Sequence, residues 1–446
     1  MTKPSKKRVY DIYSVINPLY LLSKICGLSS VIITPKNFNQ ERIKTSLFGV
    51  IYTIFLISAI VITDICITVK YDELPNVGDR TRGVFLLELV TNSTVAVLGM
   101  GVSLMHHRKL MNAILFKITV FDELLNWRFV STLRRNGRCI FIQILFLILF
   151  FMCVFLVDYL TVTNGEGNLC IWKIFLISSY LCNFIRVLTV TQYVNFVLLL
   201  KQKLQTLNNS IFLLTNSVNI GTEYNNQDIL FKTTNFSETS QLNINFAENF
   251  KEKFQFWCKT YMHNGFKHAF KFSQNPDRLL RLRASRILYD LLTDTCHMIN
   301  SMYGFQMLIC TTGNFILTII ILSYGIKSLL SHDESKETYT LPVFNPLLWA
   351  AILFIMQICP MASCSAASNE SENTVILIQK MLLFPENDPE IVAEFQLFLQ
   401  QLKTRNIQFS AMGFFNINYK NLGTFVGGGV TLLLMVLQFQ KVNNLF

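Results

Sequence analysis

Charge is what this chain has least of. Only 15% of its 446 residues are Asp, Glu, Lys or Arg, against about 25% in soluble domains, while 51% are hydrophobic. Such a composition cannot cover most of its length with water-seeking surface, so the bulk of the chain belongs in lipid. The constellations of covalent catalysis are missing as well. No GxSxG, HExxH or phosphate-binding loop occurs, and an enzyme is not expected. The 11 cysteines form no CxxC pair and no Cys/His ligand spacing. Several of them (Cys66, Cys153, Cys182, Cys310 and Cys359) sit in apolar runs and read as small buried hydrophobes, so no disulfide framework, zinc site or cofactor is expected. His106 and His107 are adjacent, diverge on a helix and have no acidic or Cys partner at metal-ligand spacing. MTKPSKKR is followed by polar residues, which is not the pattern of a cleavable signal peptide. The net charge of +11 does not indicate a nucleic-acid partner, because the basic residues cluster between apolar runs instead of forming a stripe interleaved with aromatics.

What the chain does have is a set of uncharged or nearly uncharged runs. At ~1.5 Å per residue about 20 residues cross a bilayer core, and seven runs qualify. The pattern predicts an all-α membrane protein. Residues 1–45 form a basic amino-terminal segment whose patch INPLYLLSKICGLSSVII reads as an interfacial helix. Residues 46–200 carry spans one to four: 46–69, with Asp64 approaching the interface, 84–105, 139–162 and 170–200. The fourth exceeds membrane thickness and should tilt or project. Residues 201–299 form a polar segment with an unstructured middle at 216–249 and an amphipathic helix at 278–300. Spans five and six lie in 300–367, at 302–326 and 345–367. Residues 368–420 hold a further polar segment with the helical stretch IVAEFQLFLQQLK after Pro389. The last span and a short tail fill 421–446.

Seven spans put the two ends on opposite sides. With the 99-residue segment left out, 19 Lys and Arg fall in the segments on the amino-terminal side against 7 on the other, which places the amino terminus in the cytosol and the carboxyl terminus outside.

Polar residues within spans are functional candidates. In the outward halves these are Glu88, Asn92 and Thr94; Asp158 and Tyr159; Trp172, Tyr180 and Asn183; Asn314, Thr318 and Tyr324; and Trp349. Together they would line one cavity, with rings for stacking and amides, hydroxyls and carboxylates for directional bonds to a small organic ligand. Interfacial aromatic belts account equally for several of the rings. Arg186 lies deeper and needs a partner, for which Glu88 or Asp158 is placed.

The last span, LGTFVGGGVTLLLMVLQF from Leu422 to Phe439, lacks any charge but carries polar Thr431 and Gln438. Seven positions apart, they share a face with Leu434 and Met435. An amide exposed to lipid is costly, so this face should meet a partner helix or an aqueous path. Three glycines, Gly427 to Gly429, permit close approach or bending.

TLLLMVLQF at 431–439 resembles the closing signature of insect gustatory receptors: a Thr-Tyr pair, five hydrophobic residues, then Gln-Phe. Thr431, Gln438 and Phe439 match, and Leu432 stands in place of the usual Tyr. Upstream, FSAMGFFNINYKNL from Phe409 to Leu422 is similar to the family's approach to its last span, with a short cytosolic helix and a break. The resemblance implies a tetrameric ligand-gated cation channel, homomeric or mixed with related receptors, in the plasma membrane of a sensory dendrite. It implies that four copies of the last span surround a central pore, with Gln438 and Phe439 at the outer constriction and Thr431, Leu434 and Met435 on the pore face, and that cytosolic helices anchor the tetramer. Permeant partners would be monovalent and divalent cations, weakly discriminated because the span has no acidic ring. The family's main sweet-sensing branch usually has Glu where Leu433 stands, which favours a bitter or other non-sugar tastant. A fructose-type receptor and a metabotropic seven-span receptor are the alternatives.

Overall fold

A computed structural model describes residues 12–33, 43–70, 79–125, 130–163, 169–216, 276–330, 340–383 and 388–443. Nine helices and two small hairpins occupy these residues, and seven of the helices are long and apolar enough to cross a membrane. The amino-terminal part is α1 (Ile12–Ile25), the hairpin β1–β2 (Val31–Ile33, Ile43–Thr45) and the first spanning helix α2 (Leu47–Val69). The next spans are α3 (Asp79–Leu125), α4 (Val130–Thr163) and α5 (Leu169–Asn216), followed by α6 (Pro276–Leu330) and α7 (Thr340–Leu382). Then come α8 (Pro389–Thr404), the hairpin β3–β4 (Ser410–Ala411, Phe415–Asn416) and the last span α9 (Tyr419–Asn443).

Helices α3, α5, α6 and α7 run to 47, 48, 55 and 43 residues, about twice what a bilayer requires. Their surplus ends meet in one body, the anchor. Lys117 of α3 pairs with Asp294 of α6 at 2.6 Å, and Asn208 of α5 donates to the Glu370 carbonyl of α7 at 2.9 Å. Tyr289 of α6 hydrogen-bonds Ser371 of α7 through their hydroxyls at 2.8 Å. The largest apolar core fills the space between these ends, with Phe121, Leu200, Leu282, Tyr289, Phe398 and Phe409 fully or nearly buried.

Helix α8 closes the anchor. It starts with Pro389 in its first turn and Glu390 beside it, where a missing N–H costs nothing and a negative charge meets the helix dipole. Ile391, Phe395, Phe398 and Leu402 make its buried stripe, and Phe398 meets the Tyr289 ring edge to face at 6.0 Å.

Helix α3 continues past the second span, through His106 and His107, to Leu125 because Met111, Ile114, Leu115, Ile118 and Phe121 give it a buried face. One reading of the sequence changes here. The approach to the last span is a hairpin, not a short helix. Ser410 pairs with Asn416 and Ala411 with Phe415, around Met412 (φ 51°) and Gly413 (φ 78°). Two successive positive φ values are the signature of a type I′ turn, closed by the Phe414 N–H donating to the Ala411 carbonyl at 3.0 Å. The stretch read as unstructured, 216–249, lies outside the described residues except for Asn216, which ends α5.

Candidate functional site: a buried polar seam and an exposed last helix

The helices that bury most leave a seam of polar groups between them. Arg186 of α5 is only 2% exposed. Its Nη2 donates to Asn183 Oδ1 one turn earlier, and the charge of Glu88 on α3 acts on it, while Nε and Nη1 have no hydrogen-bond partner. Asn92 follows Glu88 by four residues, hence on the same helical face. It is 1% exposed, and both ends of its amide are open. Ser93 and Ser178 lie beside Asp64 of α2, and Cys182 faces Ser93 at 3.9 Å. A buried amide or guanidinium with open valences costs about 1–3 kcal/mol per group, so the seam holds unspent capacity for polar contacts.

An aromatic wall adjoins it. Tyr180 meets Phe155 (5.1 Å), Trp349 (5.5 Å) and Phe151 (6.5 Å) edge to face. Tyr159 stacks on Phe155 at 6.2 Å with the Lys173 ammonium 5.7 Å over its ring. Leu89, Val95, Tyr180, Cys310 and the flanking Trp349 belong to one apolar cluster. The structure therefore brings Glu88, Asn92, Tyr180, Asn183 and Trp349 into one region.

Asn314 and Thr318 lie elsewhere. They line a separate cavity between α6, α7 and α9, with the Thr318 hydroxyl donating to the Asn314 carbonyl at 2.7 Å. Thr94 faces outward as an exposed residue. The side chains of Asp158, Trp172, Tyr324 and Phe439 fall outside the described residues.

Three polar residues were missed in the sequence. Asp64 was read as nearing the interface but joins the seam. Gln306 donates to the Gly99 carbonyl (2.8 Å) and to Ser103 (3.0 Å), tying α6 to α3, and Gln357 shares the second cavity with Asn314. Their signal was an isolated acid or amide within an apolar run, the same signal that marked Asn92 and Asn314.

Helix α9 touches its own chain through one stripe only. Leu422, Phe425, Gly429 and Leu433 face α6 and α7, and Phe425 meets Phe315 and Phe415 edge to face at 5.6 and 5.8 Å. A Cβ on Gly429 would touch the Phe315 ring at 3.5 Å, whereas one on Gly427 would meet nothing within 4 Å. Thr431 lies two residues from both Gly429 and Leu433, about 200° around the helix, so it points away from the packed stripe. Thr431, Leu434, Met435 and Gln438 are all exposed. The Thr431 hydroxyl donates to the Gly427 carbonyl at 3.0 Å, which satisfies it without a partner helix.

At the anchor, Arg405 pairs with both Asp290 and Asp294. Burial pulls the Arg405 value down, but hydrogen bonds and charge from the two aspartates outweigh it and the net shift is upward. For Asp294, which precedes the 302–326 stretch read from the sequence as the fifth span, burial raises the carboxyl but Lys117 and Arg405 win, leaving it below the ordinary range. Glu394, 4% exposed, sits between Arg283 at 3.3 Å and Arg286 at 2.7 Å, the latter out of hydrogen-bond alignment.

The profile of the 7tm chemosensory receptor family matches residues 239–443. Over 172 residues the chain is 22% identical to gustatory receptor for sugar taste 43a of Drosophila melanogaster, an alignment that covers 39% of this chain and 38% of that receptor's length. The fold is similar to that of the insect olfactory receptor OR5 from Machilis hrabei, with a TM-score of 0.59 at 10% identity over 95% of this chain and 97% of the other. The same receptor in complex with eugenol gives a TM-score of 0.53 at 11% identity, over 96% and 98%.

Proposed function

Since this chain belongs to the insect gustatory receptor family, a group of multi-pass membrane chemoreceptors, we propose that it is a taste receptor in which a small molecule opens a cation path lined by α9. The observation that carries this reading is the arrangement of α9. None of its membrane stretch, Tyr419–Gln438, is buried within one chain, and Gln438 sits away from the one packed stripe, on the same side as Thr431. A helix that offers an amide to lipid would be penalised, whereas four copies around an axis would give it water. Met435, Gln438 and the neighbouring Phe439 then form the constriction, which closes by dewetting when apolar groups face inward and wets when the amide does. The charge asymmetry supports a cytosolic anchor and amino terminus.

The tastant site in this reading is the seam around Arg186, Asn92 and Asn183 with the Tyr180–Trp349 wall. The complex of OR5 with eugenol supports a small organic ligand. Leu433, in place of the Glu of the main sweet-sensing branch, and the aromatic wall support a non-sugar plant compound. A sugar is the second reading, favoured by the likeness to the sugar-taste receptor and by a seam of amides and a guanidinium suited to several hydroxyls.

Whole-cell recording from cells expressing this chain alone, challenged with a panel of sugars and alkaloids, tests the proposal. A tastant-evoked cation current that persists when G-protein signalling is blocked is expected, with raised resting conductance in Phe439→Ala. A response that vanishes with the blockade, or resting and evoked currents untouched by Phe439→Ala, overturns the channel reading.

A further inference from the structure

Helices α1, α4 and α5 leave an open groove of about 240 Å³ between them. The buried part of its lining is apolar, with Leu19 from α1, Ile140 from α4 and Phe196 from α5. The accessible part carries the polar groups: Lys201 and Gln202 are half-buried and Gln205 is exposed. This gradient follows the expected depth in a membrane. Cys139, which also lines the groove, begins the stretch read from the sequence as the third span, and Lys201 follows the last residue of the fourth, 170–200. The groove therefore lies where two neighbouring spans leave hydrocarbon at the same end. Further along α4, Phe141 and Ile142 are exposed and continue the apolar surface toward lipid.

Charge selects the occupant. Among the described residues Lys201 has no ion-pair partner, and the lining contains no Asp or Glu. Gln205 reaches the carboxylate of Glu370 on α7 at 3.4 Å, but Asn208 already holds that carboxylate at 3.0 Å. An anionic head would meet the Lys201 ammonium, whereas the cationic end of a zwitterionic head would find no carboxylate in the lining. A soluble anion would use the ammonium and leave the apolar part to water. A neutral tail or sterol would fill the apolar part and leave the ammonium unmet.

We infer that this groove binds one anionic phospholipid, its phosphate at Lys201 and the upper part of one acyl chain against Leu19, Ile140 and Phe196. At about 240 Å³ the groove is smaller than the roughly 300–1,000 Å³ of a typical ligand pocket, so it takes only part of the lipid and leaves the rest on the exposed face of α4. With the amino terminus in the cytosol, as the proposed function holds, the groove opens to the inner leaflet, where anionic lipids concentrate. That leaflet rests on the proposed orientation; the binding itself does not.

Native mass spectrometry of the full chain in detergent, titrated with dioleoyl phosphatidylglycerol or dioleoyl phosphatidylcholine, tests the site. Wild type should hold the first phosphatidylglycerol about fivefold more tightly than phosphatidylcholine, the worth of one basic side chain at an anionic lipid surface. Lys201→Gln should hold the two lipids alike, while Lys380→Gln, which removes the same charge from an exposed site on α7, should keep the preference. Leu198→Trp, at an exposed position of the lining, should weaken the first phosphatidylglycerol. Equal affinities in wild type, a comparison that requires no variant to fold, overturn the proposal, as does a preference that survives Lys201→Gln. Glycerophosphoglycerol, the same head without chains, should not displace the lipid; displacement would assign the groove to a soluble phosphate and overturn it too. Selective lipid binding without any tastant-evoked current upholds the groove and counts against the channel alone.

Discussion

Tyr180 and Trp349 meet edge to face, ring centroids 5.5 Å apart and planes at 71°, linking α5 to α7 beside the polar seam. Trp349→Ala should lower tastant sensitivity by about 10–100-fold, the loss of a large contact area and its ring geometry. Trp349→Phe should recover much of it. Dose–response recordings check this, and a wild-type midpoint in Trp349→Ala would remove the wall from the tastant site.

Asn92 offers a test in which stability and response move in opposite directions. Its amide is buried with both ends open, so Asn92→Leu, similar in volume, should stabilise the ligand-free receptor by about 1–3 kcal/mol. The same change should depress the tastant response at least tenfold. Thermal unfolding in detergent and whole-cell currents supply the two readouts. A destabilised variant would mean that the amide already has a structural partner.

Asp294 makes the anchor pH-dependent in a defined direction. Its folded-state carboxyl is held low by Lys117 and Arg405 despite burial. Its stabilising contribution is therefore complete above the unfolded value, about pH 4, and is lost as the pH falls through the lower folded value. Asp294→Asn should unfold at a lower temperature than wild type at neutral pH, and the gap should close in strongly acidic buffer. A gap that persists under acid would trace the defect to packing instead of charge.

The β3–β4 turn tests the hairpin. Gly413 sits at φ 78°, where a β-branched side chain is strained, so Gly413→Val should cost about 1–2 kcal/mol. Met412→Gly, at φ 51°, should relieve strain and be neutral or mildly stabilising. On α6 beneath the turn, a Cβ on Gly304 would lie 3.1 Å from the Met412 nitrogen. Gly304→Ala should therefore also destabilise, and urea titration of the purified receptor orders the three.

The spans were legible in the sequence because lipid imposes one requirement, about 20 uncharged residues, that composition alone can satisfy. The two small hairpins were not. Residues 409–417 are held by Gly304 and by the Ile417 N–H donating to the Phe409 carbonyl at 2.8 Å, a local geometry that hydropathy does not encode. In the candidate site, Glu88, Asn92, Tyr180, Asn183 and Trp349 were recognisable as polar or aromatic groups within apolar runs. That Asn314 and Thr318 belong to another cavity could not be read, because which face of α6 meets α3 and which meets α9 depends on tertiary packing. Gly313 shows the α3 side: a Cβ there would come within 2.9 Å of Val95.

Helix α6 runs unbroken from Pro276 to Leu330. It carries Asp290 and Asp294 in the anchor, Cys310 near enough to act on Arg186, and Asn314 and Phe315 against the last span. Cys310 and Asn314 are one helical turn apart, about 6 Å along the axis. News of an occupied seam thus has a single stiff spoke to travel and no loop to cross. In the proposed function, a rigid rotation of that spoke, clamped by its carboxylates at the far end, would couple an occupied seam to the last helix.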